Sequence, residues 1–214
     1  MPDIRGLSIP VQLAELCQPS RTALIVYDMQ VGVVSQIDEG QAITGRCLDL
    51  LQTARKGGYP VYFARHRWLP NRLAGVGQLR RAMIWHHTDD PMSVAPPFSP
   101  GSPGFEIVPE LTPREDECVI DKITMSAFQG TYLDIALRDA KLESFIIAGI
   151  ALEVGIGPTI RQALDLNYIP VVVSDACGAK TAQNKDRVLT EFADTGEVIV
   201  VDSKTLLPLL NAAC

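Results

Sequence analysis

Two charged side chains stand where apolar runs end. Asp28 closes ALIVYDMQ, Lys122 closes CVIDK, and a third run, FIIAGI, passes into the glycine-rich turn ALEVGIGPT around Gly155. A carboxylate and an ammonium within about 4 to 6 Å of each other form an acid–base pair: the ammonium favours the ionised carboxylate, and burial favours the protonated one. Such a pair can give or take a proton and can stabilise negative charge that develops on a substrate. Plainer roles exist for both, Asp28 as the cap of the turn that follows it and Lys122 as an exposed lysine after an edge strand. The order DMQ after a strand favours the first role for Asp28, and the apolar MSAF after Lys122 predicts a partly buried loop. Gln30 would either orient substrate or water or brace its loop, and Phe128 would either line a pocket or pack in the core.

Each run holds five to seven aliphatic or β-branched residues followed at once by a polar one, the pattern of a buried parallel strand at its carboxyl edge. Functional groups in open α/β sheets gather at that edge. The patterning predicts strands over Thr22–Tyr27, Tyr59–Ala64, Glu117–Asp121, Ser144–Ile150, Ile169–Ser174 and Glu197–Val201. Between them it predicts helices near Ile37–Lys56, Tyr132–Ala140, Pro158–Leu166 and Gln183–Ala193. Alternation of this kind gives an α/β fold with a parallel sheet and helices on both faces. Residues 1–19 form an N-terminal arm, and 65–112, rich in Pro and Gly with one short helix around Gln78–Trp85, form a lid or interface loop. One domain over 1–214 is expected, and a chain this long buries about 70% of its unfolded surface without staples.

The segments ALIVYDMQ, VIDKITMSAFQGTYLDIALR and FIIAGIALEVGIGPTIRQALDLNYIPVVVSDACG, in this order, resemble the isochorismatase-like, or cysteine hydrolase, superfamily from about residue 20 to 202. The resemblance implies a Rossmann-like three-layer sandwich around a mostly parallel six-stranded sheet, and no GxGxxG accompanies it. It implies Asp28, Lys122 and the Gly155 turn as the catalytic set; beside them, Gln30, Arg65, Phe128 and Ala151 are the candidate substrate contacts. It also implies a cis peptide bond between Ile150 and Ala151, and backbone N–H groups near Gly155 aimed at a developing oxyanion. The amidohydrolases of the superfamily carry a nucleophilic cysteine where this chain has Gly155. Without a thiolate no acyl-enzyme can form. The true isochorismatases are similar here in having glycine, and cleave a vinyl ether after proton donation from the aspartate. They usually place a cysteine where this chain has Ile156, and this chain shows no clear counterpart of their glutamine and arginine contacts after the second strand.

Other chemistry finds less support. Cys177 in VVVSDACG lies on the same sheet edge, yet nothing near it in sequence polarises a thiol. The five cysteines form neither a CxxC nor a Cys/His metal spacing. Nicotinamidase-like relatives hold a metal with Asp-x-His and a further His. The segment Arg65, His66, Arg67 with His86 and His87 lacks the aspartate, so no metal and no cofactor are expected. Arg65, Arg67 and Arg72 either meet a carboxylate substrate or form a solvated basic loop. Trp68 and Trp85 either roof the pocket or pack between subunits. The net charge of −6 offers no footprint for nucleic acid or an anionic membrane, and no run approaches the roughly 18 apolar residues of a membrane span. The expectation is a cytoplasmic homo-oligomer acting on a small molecule. The leading reading is a hydrolase using Asp28 and Lys122 with water as the nucleophile. A ligand-binding pseudoenzyme, or an amidohydrolase whose nucleophile is lost or mutated, stands beside it.

Overall fold

Pro, Gly and polar clusters punctuate the aliphatic runs, and the elements begin and end near them. A computed structural model of the protein describes residues 3–94 and 98–212. Cys214, one of the five thiols, lies outside the described residues. The chain opens with a small antiparallel hairpin, β1 (Asp3–Ile4) and β2 (Leu7–Ser8), and the one-turn helix α1 (Leu13–Leu16). Then follow β3 (Thr22–Tyr27), α2 (Val31–Val34), α3 (Gly40–Lys56), β4 (Val61–His66), α4 (Val76–Trp85) and β5 (Cys118–Lys122). The second half runs α5 (Leu133–Asp139), β6 (Ser144–Ile150), α6 (Gly157–Asp165), β7 (Ile169–Gly178), α7 (Ala182–Thr195), β8 (Ile199–Val201) and α8 (Ser203–Ala212).

The main sheet has six strands in the order β5-β4-β3-β6-β7-β8, all parallel. Side chains alternate across it, as the two-residue period of a strand requires. Leu24 and Val26 of β3 join a core with Ile43, Leu50 and Leu51 of α3 and Leu206 and Leu210 of α8. Ala23, Ile25 and Tyr27 join the opposite core with residues of α5, α6 and α7. The result is the three-layer α/β sandwich with a six-stranded central sheet that the sequence implies.

The differences have local causes. β4 starts at Val61, because Pro60 has no N–H to give to a ladder, and runs on to His66, which pairs in register with Lys122. β7 continues to Gly178, past an irregularity opposite Ile147 to Gly149. Helix α8 adds to the elements the sequence predicts, because Pro208 inside it masks the helical pattern. Leu206 and Leu210, four residues apart, bury one stripe against the sheet and hold the helix in place. Among the described residues, segment 65–112 contains α4 and four 3₁₀ turns, with a small core of its own formed by Trp68, Ala82, Val94, Phe98 and Phe105. It returns to the carboxyl edge of the sheet, where Val31 N–H donates to Glu106 O at 2.9 Å and Val108 N–H to Met29 O at 3.0 Å. No helix among the described residues is long and apolar enough to cross a membrane.

Gly149 leaves no room for a side chain. Its φ is +136° and it lies opposite Tyr27, where an added Cβ would come within 2.8 Å of Tyr27 C and 2.9 Å of Tyr27 N. Backbone cannot give way as a side chain can. Gly149→Ala is therefore expected to lower the unfolding free energy by about 2 to 4 kcal/mol. Gly45→Ala, on the exposed face of α3 with nothing near its Cβ, should raise it by about 0.5 to 1 kcal/mol. Urea denaturation of the two variants checks both signs.

Candidate active site

Three strand ends meet where the sequence placed its charged residues. β3 delivers Asp28, whose N–H donates to Ala64 O at 2.9 Å and whose φ of 46° turns the chain sharply out of the sheet. Aspartate is among the few side chains that tolerate that left-handed conformation. Two strands away β5 ends on Lys122, and its Nζ donates to Asp28 Oδ2 at 2.8 Å. The lysine is 1% exposed and the aspartate 8%, so this is a buried ion pair rather than a surface one. Lys122 Nζ also donates to Thr124 O at 3.4 Å and lies 4.4 Å from the centre of the Tyr27 ring.

The other carboxylate oxygen, Asp28 Oδ1, is buried and has no hydrogen-bond partner among the described residues. Burial pushes the Asp28 pKa up to about 6 against the opposing pull of Lys122 and of the nearby His66 N–H, whose own hydrogen bond goes to Gln30 Oε1. Burial likewise lowers the pKa of Lys122, and Asp28 counters it. The pair thus contains an acid that changes protonation near neutral pH and an oxygen free to carry the proton.

The third strand end holds the expected cis bond between Ile150 and Ala151. One π-helical turn, Leu152–Ile156, follows and runs into α6. Both Gly155 N–H and Ile156 N–H donate to Ala151 O, at 3.0 and 3.1 Å. This corrects the expectation that backbone donors at Gly155 face an oxyanion, because the π turn closes those bonds internally. Ala151 contributes that carbonyl and is partly buried.

The remaining predicted residues separate. Gln30 is fully buried. Its amide accepts from His66 N–H at 2.7 Å and donates to the carbonyls of His66 and Phe105 at 3.0 and 2.9 Å, so it clamps segment 65–112 to the sheet edge and does not face open space. Phe128 is a core aromatic, 5.5 Å from the Tyr168 ring and 5.9 Å from Phe145. Arg65 donates to Asp121 Oδ1 at 2.7 Å and lies over the Phe105 ring, which leaves it occupied on two sides. Arg67 and Arg72 are exposed. Trp68 is buried within its own chain and packs against Trp85 at 5.7 Å. Cys177 is wholly buried, and burial pushes its thiol up to about 12, so no thiolate is available there.

The sequence presents His66 only as a metal-ligand candidate and Trp68 only as a roof or subunit contact, and gives no signal for Arg81. His66 ends β4 beside Lys122, its ring edge-on to Trp68 and Phe98. Burial and the charges of Lys122 and Arg81 push its pKa down to about 3, so it is neutral. Arg81 Nε and Trp68 Nε1 are both buried donors without a partner among the described residues. Arg81 precedes Trp85 by four residues on α4, so the helical period sets the two on one face.

Residues 22–204 match a family model described as the Isochorismatase domain. The chain belongs to the isochorismatase family. It is 27% identical over 176 residues to ureidoacrylate amidohydrolase RutB of Pseudomonas syringae pv. syringae, a match covering 74% of this chain and 71% of that protein. An isochorismatase family protein from Desulfovibrio vulgaris shares 25% identity, with a TM-score of 0.75 over 88% of this chain and 97% of that one. A cysteine hydrolase from Pseudomonas syringae pv. phaseolicola has the same fold, with a TM-score of 0.78 at 24% identity, covering 92% and 95% of the two chains. The protein is thus an isochorismatase-family hydrolase. No group of three or more His, Cys, Asp or Glu side chains that could hold a metal occurs among the described residues.

Removing Lys122 strands a buried carboxylate. Lys122→Met is expected to cost about 3 to 5 kcal/mol of stability at pH 8. The cost should shrink toward pH 5, where Asp28 takes a proton and no longer needs a counter-ion. In the unmodified protein the folded pKa of about 6 lies above the ordinary 3.8. Asp28 therefore binds its proton more tightly when folded, and its contribution to stability declines as pH rises from about 4 to 6 and is flat above. Urea unfolding at several pH values measures both trends.

Proposed function

We propose that this hydrolase cleaves a small carboxylated metabolite by proton transfer from Asp28 and direct attack of water, without a covalent enzyme intermediate. The observation that carries the reading is the unpartnered Asp28 Oδ1. One oxygen of the carboxyl group is held by Lys122, and the other is free to deliver a proton. A pKa of about 6 makes both protonation states available near neutrality, which is what acid–base exchange requires.

The geometry favours a bond that breaks after protonation. Water attack on an amide carbonyl calls for donors that receive an oxyanion, and the N–H groups of Gly155 and Ile156 are already used. An enol ether needs no such donors. Asp28 gives its proton to the terminal carbon of the double bond, and the resulting oxocarbenium ion takes up water. The hemiketal then collapses to an alcohol and a keto acid, and the proton lost by the water returns to Asp28. Lys122 holds Asp28 in place and offsets the negative charge left on it by the transfer. The substrate carboxylate suits the unused donors of Arg81 and Trp68. His66, being neutral, leaves the charge of Arg81 uncontested.

Turnover of simple carboxylated vinyl ethers, followed by keto-acid release, tests the proposal. Asp28→Asn should lower kcat/KM by about 10²- to 10⁴-fold. Arg81→Gln should act mainly on KM. The rate should fall as pH rises through about 6, where the proton-donating form is depleted. Tight binding of these ethers with no turnover, turnover of ureido amides instead, or full activity in Asp28→Asn would overturn it.

A further inference from the structure

Tyr27 plays no part in the proton transfer, yet it borders each component of the site. It is wholly buried. The face of its ring lies 4.4 Å from Lys122 Nζ, and its hydroxyl donates to Met125 O on the loop after β5. Gly155 approaches the same ring. A Cβ built on Gly155 would lie 2.6 Å from Tyr27 Cε1 and from Tyr27 Cζ, and nearer still to the phenol oxygen.

The obstacle at Gly155 differs in kind from the one at Gly149. Gly149 has a positive φ and would meet backbone, whereas Gly155 has no positive φ and its three nearest neighbours are all atoms of the Tyr27 side chain. The backbone at 155 would thus accept any L-residue, and the tyrosine is what excludes one. The ring is also fixed in place. Its Cα is in register with Gly149, its hydroxyl is bonded and its face is covered by an ammonium.

We infer that Tyr27 sets the reaction class of this site: its ring fills the space through which a side chain on residue 155 would reach the Asp28–Lys122 pair, so the chain itself can supply no nucleophile there. This rests on the non-covalent reading above and gives it a steric cause. The phenol is a neutral filler, since burial and the neighbouring Asp28 push its pKa well above the ordinary value. It therefore takes the space without adding a charge beside the acid. Gly155 is half of a complementary pair with Tyr27, and a thiol cannot be installed by changing Gly155 alone.

The coupling can be measured without any substrate, so its outcome is independent of the turnover assay. Gly155→Ala in the otherwise unmodified protein should lower Tm by about 5 °C or more, as overpacking by one methyl against a fixed ring does. In a Tyr27→Phe background the loss should be smaller, because the nearest atom is gone while the ring carbons remain. In a Tyr27→Val background Gly155→Ala should be neutral. Equal losses in all three backgrounds, or no loss in the first, would overturn the inference. If the valine variant fails to fold, the comparison between the unmodified and Tyr27→Phe backgrounds still decides. As a second readout, folded Tyr27→Val, Gly155→Cys protein should be alkylated by iodoacetamide at position 155, located by mass spectrometry. Absence of label at that position in the folded double variant would also count against it.

Discussion

A buried ammonium is tolerated only beside its counter-ion, and that requirement organises this molecule. Lys122 is almost completely enclosed and its partner Asp28 lies on a different strand. The desolvation cost of such a pair is repaid only by close geometry and further hydrogen bonds. The register of β3, β4 and β5 supplies the geometry, because parallel strands present their carboxyl ends side by side. His66 of β4, between the two charges in the sheet order, is bonded to Gln30, and together they tie segment 65–112 across the same edge. The cost is only partly repaid at Asp28, whose second oxygen has no partner. Strain of this kind at a functional group is what gives it a usable pKa.

Residues divide between structure and chemistry according to where the tertiary fold points them. Asp28 and Lys122 were legible because a strand fixes the direction of each successive side chain, and a charged residue at the end of an apolar run has few places to go. Gln30 and Phe128 sit near the same edge but turn inward, one to backbone groups and the other to Phe145 and Tyr168. Their sequence positions are compatible with either direction. Arg65 is diverted to Asp121 by strand pairing, while Arg81, further along the chain on α4, ends with an unused donor. A helical period sets Arg81 on one face with Trp85 but does not say whether its guanidinium finds a partner, and the irregular chain around Arg67 and Arg72 carries no periodic signal.

The relation of Tyr27 to Gly155 shows the same limit more sharply. In ALIVY the tyrosine reads as the last residue of a buried strand, and that is correct. That its ring occupies the space of a missing side chain on a turn remote in sequence is a packing fact, and packing at native density leaves no trace in a local pattern. The turn itself also behaves differently from the helix start that the glycines suggest, since its π-helical form directs two N–H groups to Ala151 O.

Taken alone, then, the amino-acid order determined the strands, their parallel arrangement, the layered α/β fold and the two charged residues at the sheet edge. These depend on hydrophobic runs and on the two-residue period of a strand, which are local properties. The tertiary structure alone decided how close the two charges come, which oxygen has no partner, which arginine keeps a buried donor unused and what closes position 155. Those outcomes depend on distances between side chains remote in sequence, and such distances are set by burial and steric exclusion once the layers have packed.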